Sequence, residues 1–140
     1  MCINEFILPE GLEALELDSY DFIVDAIDTV STKIALAEYC DKRKLNLISS
    51  MGTGNKLDPA AFEITDIYKT SVCPLARVMR SELKRRGVGG LTVIFSKETP
   101  KRFDTPATEG KKSPASISFV PAAAGLMIGG FVIKKIAGIS

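Results

Sequence analysis

Asp28 follows the β-rich run Tyr20-Asp21-Phe22-Ile23-Val24-Asp25-Ala26-Ile27 and precedes a helical pattern that opens at Val30. In an open parallel sheet, ligands bind at the carboxyl ends of the strands, so an acid between a strand and the next helix points into that crevice. A carboxylate there can hold Mg2+ against a triphosphate. The same residue type also caps helices, which stabilises them by about 1 kcal/mol. Spacing alone favours the cap. Asp25, inside the run, either partners a nearby buried cation or faces the same crevice.

Other residues offer weaker chemistry. Gly52-Thr53-Gly54 follows an apolar run as phosphate loops do, but Lys56-Leu57-Asp58-Pro59 cannot open a helix at once. Neither a dinucleotide fingerprint nor a Walker loop is present, so the stretch reads as a turn. Cys73 stands beside Pro74 at the start of a helical pattern, a position that suits a nucleophilic thiol. The chain has no His to act as its base, and an ordinary part-buried Cys is the plainer reading.

From Pro74 to Arg86, an apolar stripe of Leu75, Val78, Met79 and Leu83 is surrounded by Arg77, Arg80, Lys84, Arg85 and Arg86, with Glu82 the one acid among them. Such a surface either contacts RNA phosphates through residues such as Arg77, Arg80 and Lys84, or is simply a solvated helix face.

These residues need elements to hold them. Short apolar runs alternate with helical patterns, the rhythm of an α/β protein with parallel strands. The pattern predicts strands at Ile3 to Leu8, Tyr20 to Ile27, Leu45 to Ser50 and Leu91 to Ser96, with an extended segment at Phe62 to Ile67. Between them it predicts helices from Val30 to the cationic Lys42-Arg43-Lys44 and from Pro74 to Arg86, the second closed by Gly87. Residues 97–115, rich in Pro and charge, carry too little apolar surface to fold alone and read as mobile. Ile117 to Val120 reads as a strand and Ala122 to Ile136 as a helix crowded with Ala and Gly. The uncharged stretch Ile117 to Ile133 approaches the length of a membrane span, but Pro121 and several Gly favour a tightly packed helix, leaving membrane association the lesser alternative.

Composition sets the outer bounds. The chain has 140 residues, 46% of them hydrophobic, which suffices for one core and one domain. A net charge of +1 gives no global attraction to nucleic acid or anionic lipid, so any such binding is local. Cys2, Cys40 and Cys73 are scattered, and no His is present to complete a zinc site. A reduced, cytoplasmic protein is the simplest reading, and Met1 to Phe6 does not read as a secretory signal.

At these same residues a family resemblance emerges. Tyr20 to Val30, followed by Lys33, resembles the strand and Mg-ATP aspartate segment of the ThiF/MoeB/HesA superfamily, related to ubiquitin-activating enzymes. Ile48 to Pro59, Asp66 to Arg77 and Ser118 to Leu126 are similar to the branch that dehydrates threonylcarbamoyladenosine in tRNA. The resemblance implies a partial Rossmann-like fold, a mixed sheet with flanking helices in which residues 1–140 form the C-terminal portion of one activating domain. It also implies ATP and Mg2+ as cofactors, adenylation of the threonyl carboxylate, ring closure that expels AMP, tRNA as substrate and a homodimer.

Asp28 matches the aspartate that approaches the ATP phosphates and metal, which reverses the preference for a simple cap, and Thr29 stands where many relatives have Asn. Arg77, Arg80 and Lys84 become candidates for contact with tRNA. Cys73 lies where a sulfur- or thioester-carrying Cys is imaginable, which would bring in a sulfur-relay partner protein. The family's glycine-rich ATP loop, catalytic arginine and adenine-ribose contacts belong upstream of these residues. The expectation is that the chain, tested alone, neither binds ATP tightly nor turns over, and that faces meant for missing strands drive self-association. The alternatives are a non-catalytic module that binds tRNA or a partner, and another adenylating or sulfur-carrier-activating enzyme of the superfamily.

Overall fold

The computed structural model describes residues 2–101 and 114–139. Its elements are β1 (Ile23–Asp25), α1 (Val30–Arg43), β2 (Leu47–Ser50), β3 (Phe62–Asp66), α2 (Pro74–Arg85), β4 (Thr92–Ser96) and α3 (Phe119–Ile136). The strands lie in the order β1-β2-β4-β3. The first three run parallel, and β3 pairs antiparallel with β4 at one edge, so the sheet is mixed as expected.

Alternation along the strands divides the core in two. Leu47, Val93 and Phe95 meet Ile34, Ala37 and Cys40 of α1 and Ala76, Met79 and Leu83 of α2 on one face. Ile48 and Ile94 meet Val120, Ala124 and Ile128 of α3 on the other. Both βα crossovers place their helices on the first face, while among the described residues α3 alone roofs the second.

Local chemistry sets the boundaries. Pro74 occupies the first turn of α2, where its missing N–H costs nothing, and Gly87, at φ 75, follows the end of that helix. Lys44 ends α1 in the same left-handed region at φ 58.

Three sequence expectations are corrected. Ile3 to Leu8 is irregular and, apart from half-buried Ile7, exposed; it pairs with no strand among the described residues, and a hydrogen bond from Thr32 Oγ1 to the Ile7 carbonyl (3.1 Å) ties it to α1 instead. The strand expected over Tyr20 to Ile27 shrinks to Ile23–Asp25, the residues that have partners on β2. Ile117 to Val120 is no strand: α3 opens at Phe119, and Pro121 in its first turn with the Ala run behind it suits a helix. Of the stretch expected to be mobile, residues 102–113 lie outside the described residues.

By length and composition α3 is apolar enough to cross a membrane. Its inner side packs on the sheet, while Leu126, Ile133 and Ile136 face outward.

Candidate functional site

A cleft of about 270 Å3 opens at the carboxyl ends of β1 and β2. Asp28 forms part of one wall, Ser50 to Thr53 form the other, and Leu75 of α2 and Pro121 to Ile128 of α3 complete it. Leu75 and Pro121 bring the first turns of α2 and α3 to this place, and Asp28 stands two residues before α1. None of the three helices has a side-chain cap, since Thr29, Cys73 and Ser118 accept no capping hydrogen bond. Uncapped N-termini carry partial positive charge, which favours an anion, although Pro74 and Pro121 remove an N–H from the first turns of α2 and α3 and the Ile117 carbonyl accepts the Val120 N–H at 3.2 Å.

Asp28 is exposed, and no hydrogen bond to its carboxylate forms among the described residues. The N-cap of α1 is Thr29, not Asp28, so the role that spacing alone favoured for this aspartate is not the one the structure gives it. Thr29 is half-buried, its carbonyl accepts the Lys33 N–H (3.0 Å), and it stands outside the lining of the cleft.

Asp25 takes the first of its two readings and partners a buried cation. One oxygen, Oδ2, accepts from Lys33 Nζ at 2.9 Å and from Ser49 Oγ at 2.6 Å, and Oδ1 accepts from the Ile27 N–H at 3.0 Å. Asp25 and Lys33 are each 1% exposed. Sequence reasoning missed the part played by Lys33 and Ser49. The available signal was an acid inside an apolar strand, which needs a partner, with a lysine on the first turn of the next helix.

The loop beyond β2 is pinned rather than shaped as a phosphate loop. Glu98 accepts the N–H groups of Leu57 and Asp58, both at 2.9 Å. These two bonds, led by that from Asp58, hold its carboxyl below the usual carboxylate range. Lys56 is buried and donates to the Glu98 carbonyl at 2.6 Å, and burial pushes its amine below the usual lysine value.

The remaining candidates separate. Cys73 is 3% exposed, forms the N-cap of α2 and packs in the main core. It is not brought to the Asp28 cleft. Arg80 is half-buried and donates to the Thr70 carbonyl at 3.0 Å and to the Thr70 hydroxyl, so it braces the turn before α2 and is not a free cation for phosphate. Arg77 and Lys84 are exposed and form no ion pair among the described residues. Arg85 and Arg86 are paired with Glu82 and Glu38.

No family model matches the chain. It is 42% identical over 128 residues to the tRNA threonylcarbamoyladenosine dehydratase of Bacillus subtilis, an alignment that covers 83% of the chain and 50% of that protein. The tRNA threonylcarbamoyladenosine dehydratase 2 of Saccharomyces cerevisiae is 43% identical over 101 residues, covering 70% of the chain and 23% of the yeast protein. The solved structure of the Escherichia coli enzyme in complex with AMP superposes with a TM-score of 0.81 at 28% identity, over 97% of the chain and 56% of that protein. Over most of its length the chain is similar to tRNA threonylcarbamoyladenosine dehydratases. It spans about half the length of the Bacillus dehydratase. The Escherichia coli dehydratase has also been solved in complex with ATP, with the same TM-score of 0.81.

The cleft fits a hard cation only in part. Among the described residues no group of three His, Cys, Asp or Glu side chains gathers to hold a metal. Asp28 supplies one oxygen ligand of the kind Mg2+ takes, and phosphate oxygens and water ordinarily supply the rest in such sites.

Proposed function

We propose that this chain forms part of an ATP-dependent enzyme that dehydrates threonylcarbamoyladenosine in tRNA. In that reaction the threonyl carboxylate displaces pyrophosphate from ATP, and ring closure on the activated carbonyl expels AMP. The observation that carries the reading is the Asp28 carboxylate, exposed and without a hydrogen bond among the described residues, at a cleft bordered by the uncapped first turns of α2 and α3. The N-termini favour a triphosphate, whereas Asp28 by itself would repel one. A cation between them reconciles the two, and Mg2+ held by Asp28 against the phosphates is the simplest arrangement. The similarity to proteins of that name supports the substrate.

Asp28→Asn in the complete enzyme tests it. The expected result is a loss of turnover of roughly 100-fold or more, with unchanged folding, read as conversion of the modified nucleoside in tRNA. Full activity of that variant sinks the reading. The 140 residues hold no glycine-rich phosphate loop, so in this reading the chain alone binds Mg-ATP weakly; calorimetry giving micromolar affinity counts against it.

Arg77 and Lys84, exposed and without an ion pair among the described residues, support tRNA contact. Replacing both with Ala should weaken tRNA binding and leave AMP exchange intact, and equal binding removes the role. The same exposed pair supports the second reading, a docking module without chemistry, which intact turnover of Asp28→Asn would favour. The outward apolar side of α3, where Leu126 is 80% exposed, supports a homodimer. Monomeric light scattering at micromolar concentration counts against one. A cytoplasmic enzyme fits this reading, and a sulfur-relay partner does not enter it, because Cys73 is buried.

A further inference from the structure

We infer that the buried Asp25, Lys33 and Ser49 form a positioning clasp that sets Asp28 and ties the two walls of the cleft together; the inference rests on the Asp28 reading above. One carboxylate grips three elements. Its Oδ1 accepts the N–H of Ile27, the residue immediately before Asp28, at 3.0 Å. Its Oδ2 accepts from Lys33 Nζ on the first turn of α1 at 2.9 Å and from Ser49 Oγ on β2 at 2.6 Å. Asp25 and Ser49 are also register partners in the parallel ladder. Ser49 immediately precedes Ser50, where the opposite wall begins.

Packing alone does not call for these groups. Apolar residues of similar volume fill a buried site at least as well as an ion pair does, so the charges have another use. What a carboxylate adds is several directed acceptor sites on one rigid fork. Here they fix the chain direction between β1 and α1 just where Asp28 leaves it, and fix β2 against that bend. Lys33 pairs with the carboxylate at 2.9 Å, so the clasp beneath the cleft adds no net charge to it. The clasp residues stand outside the cleft lining, so they act through Asp28 and are not catalytic residues.

Ser49→Ala tests this, because it cuts one arm and leaves the ion pair in place. Ser49→Cys, closer to serine in volume, is the second variant should the first fold poorly. Both are placed in the complete enzyme with and without Asp28→Asn, and the Mg2+ concentration for half-maximal activity and the KM for ATP are measured. Magnesium-dependent nucleotide binding by calorimetry completes the cycle where turnover is too low. With Asp28 present, the expected result is a Mg2+ requirement raised about five-fold and a melting temperature within a few degrees of the parent. With Asp28→Asn, the Ser49 substitution should add less than about two-fold. Equal factors in both backgrounds mean general loosening and overturn the clasp while leaving the Asp28 reading intact. An Asp28→Asn enzyme that responds to Mg2+ like the parent overturns that reading, and the clasp falls with it.

Discussion

The two ends of the sheet differ in a way that volume does not anticipate. At the carboxyl ends of β1 and β2 the cleft measures about 270 Å3, while at the amino ends a hollow of about 460 Å3 lies between α1, the starts of the strands and the last turns of α3. The larger hollow is lined by charge, with Asp41, Lys44, Asp66 and Lys135 around it. Much of that charge is already answered. Lys44 sits 3.5 Å from Asp41, and Asp66 accepts the N–H of Tyr68 at 2.8 Å and of Leu91 at 3.1 Å. The helix that ends there, α1, presents carbonyls, which disfavour an anion. The smaller cleft has the uncapped first turns of α2 and α3 and a carboxylate that has no partner among the described residues. Unanswered polarity at converging dipoles, rather than empty space, distinguishes the end that can do chemistry.

The strongest way to break this comparison is to remove the charge beneath the cleft. Lys33→Met leaves the Asp25 carboxylate buried without its counter-ion, which should cost about 3–5 kcal/mol in urea unfolding. Asp25→Asn combined with Lys33→Met should recover most of that loss, because neither charge then remains buried. A Lys33→Met protein within about 1 kcal/mol of the parent would mean that the carboxyl end is held by packing instead.

At the opposite end, Cys40 lines the hollow, and burial, with smaller contributions from Asp18 and Asp25, pushes its thiol from the ordinary 9.0 up to about 11. A raised folded value means that its contribution is complete below pH 9, where the unfolded thiol is still protonated, and is lost as pH rises toward 11. Relative to Cys40→Ala, the parent should lose about 2–3 kcal/mol across that window, measured as the shift in urea midpoint. Parallel pH profiles for the two proteins would show that the amino end is wetter than its geometry indicates. A thiol titration of the native protein sharpens the same point, with exposed Cys2 reacting quickly and buried Cys40 and Cys73 only on unfolding.

Asp66 and Asp28 make the most direct contrast. Asp66→Ala strips acceptors from two backbone N–H groups and should cost about 1–2 kcal/mol of stability with turnover of the complete enzyme nearly unchanged. Asp28→Asn should do the reverse, leaving stability within about 0.5 kcal/mol, as surface changes do, while abolishing turnover. An Asp66→Ala enzyme that is stable but inactive would move the site to the larger hollow.

What could be read from the residues follows the range of the interactions involved. The two helices α1 and α2 and strands β2 and β4 were legible because their signals are local: periodic apolar residues, Pro74 at a first turn and Gly87 just past an end. Asp28 was legible as a position, since the boundary between a strand and a helix fixes where a side chain emerges. Ile3 to Leu8 and Ile117 to Val120 misled because tertiary contacts decide whether a β-rich run becomes a strand, and here Ile7 is held by Thr32 of α1 while Val120 packs on the sheet face within the first turn of α3. Arg80 was read with the other cations of its helix, but its partner Thr70 lies ten residues back in an irregular turn. Lys33 was the hardest case. A lysine on a helix ordinarily marks the solvent side, and the acid inside β1 signals only that it needs a partner, not which cation supplies it.

The smallest expected effect is the control for all of these. Glu38, on α1, accepts from Lys42 Nζ at 2.6 Å and from Arg86 Nη1 beyond the end of α2 at 2.8 Å, and lines neither cavity. Those bonds, that from Lys42 first, hold its carboxyl below the ordinary 4.5. A lowered acid contributes fully above its ordinary value and loses that contribution as pH falls through its folded one. Surface ion pairs are worth little, so Glu38→Gln should cost only about 0.5 kcal/mol at pH 7, and the gap from the parent should close as pH drops below 4.5. A cost that rivals Lys33→Met would mean that the α1–α2 contact, rather than the buried pair, fixes the helix that carries the cleft wall.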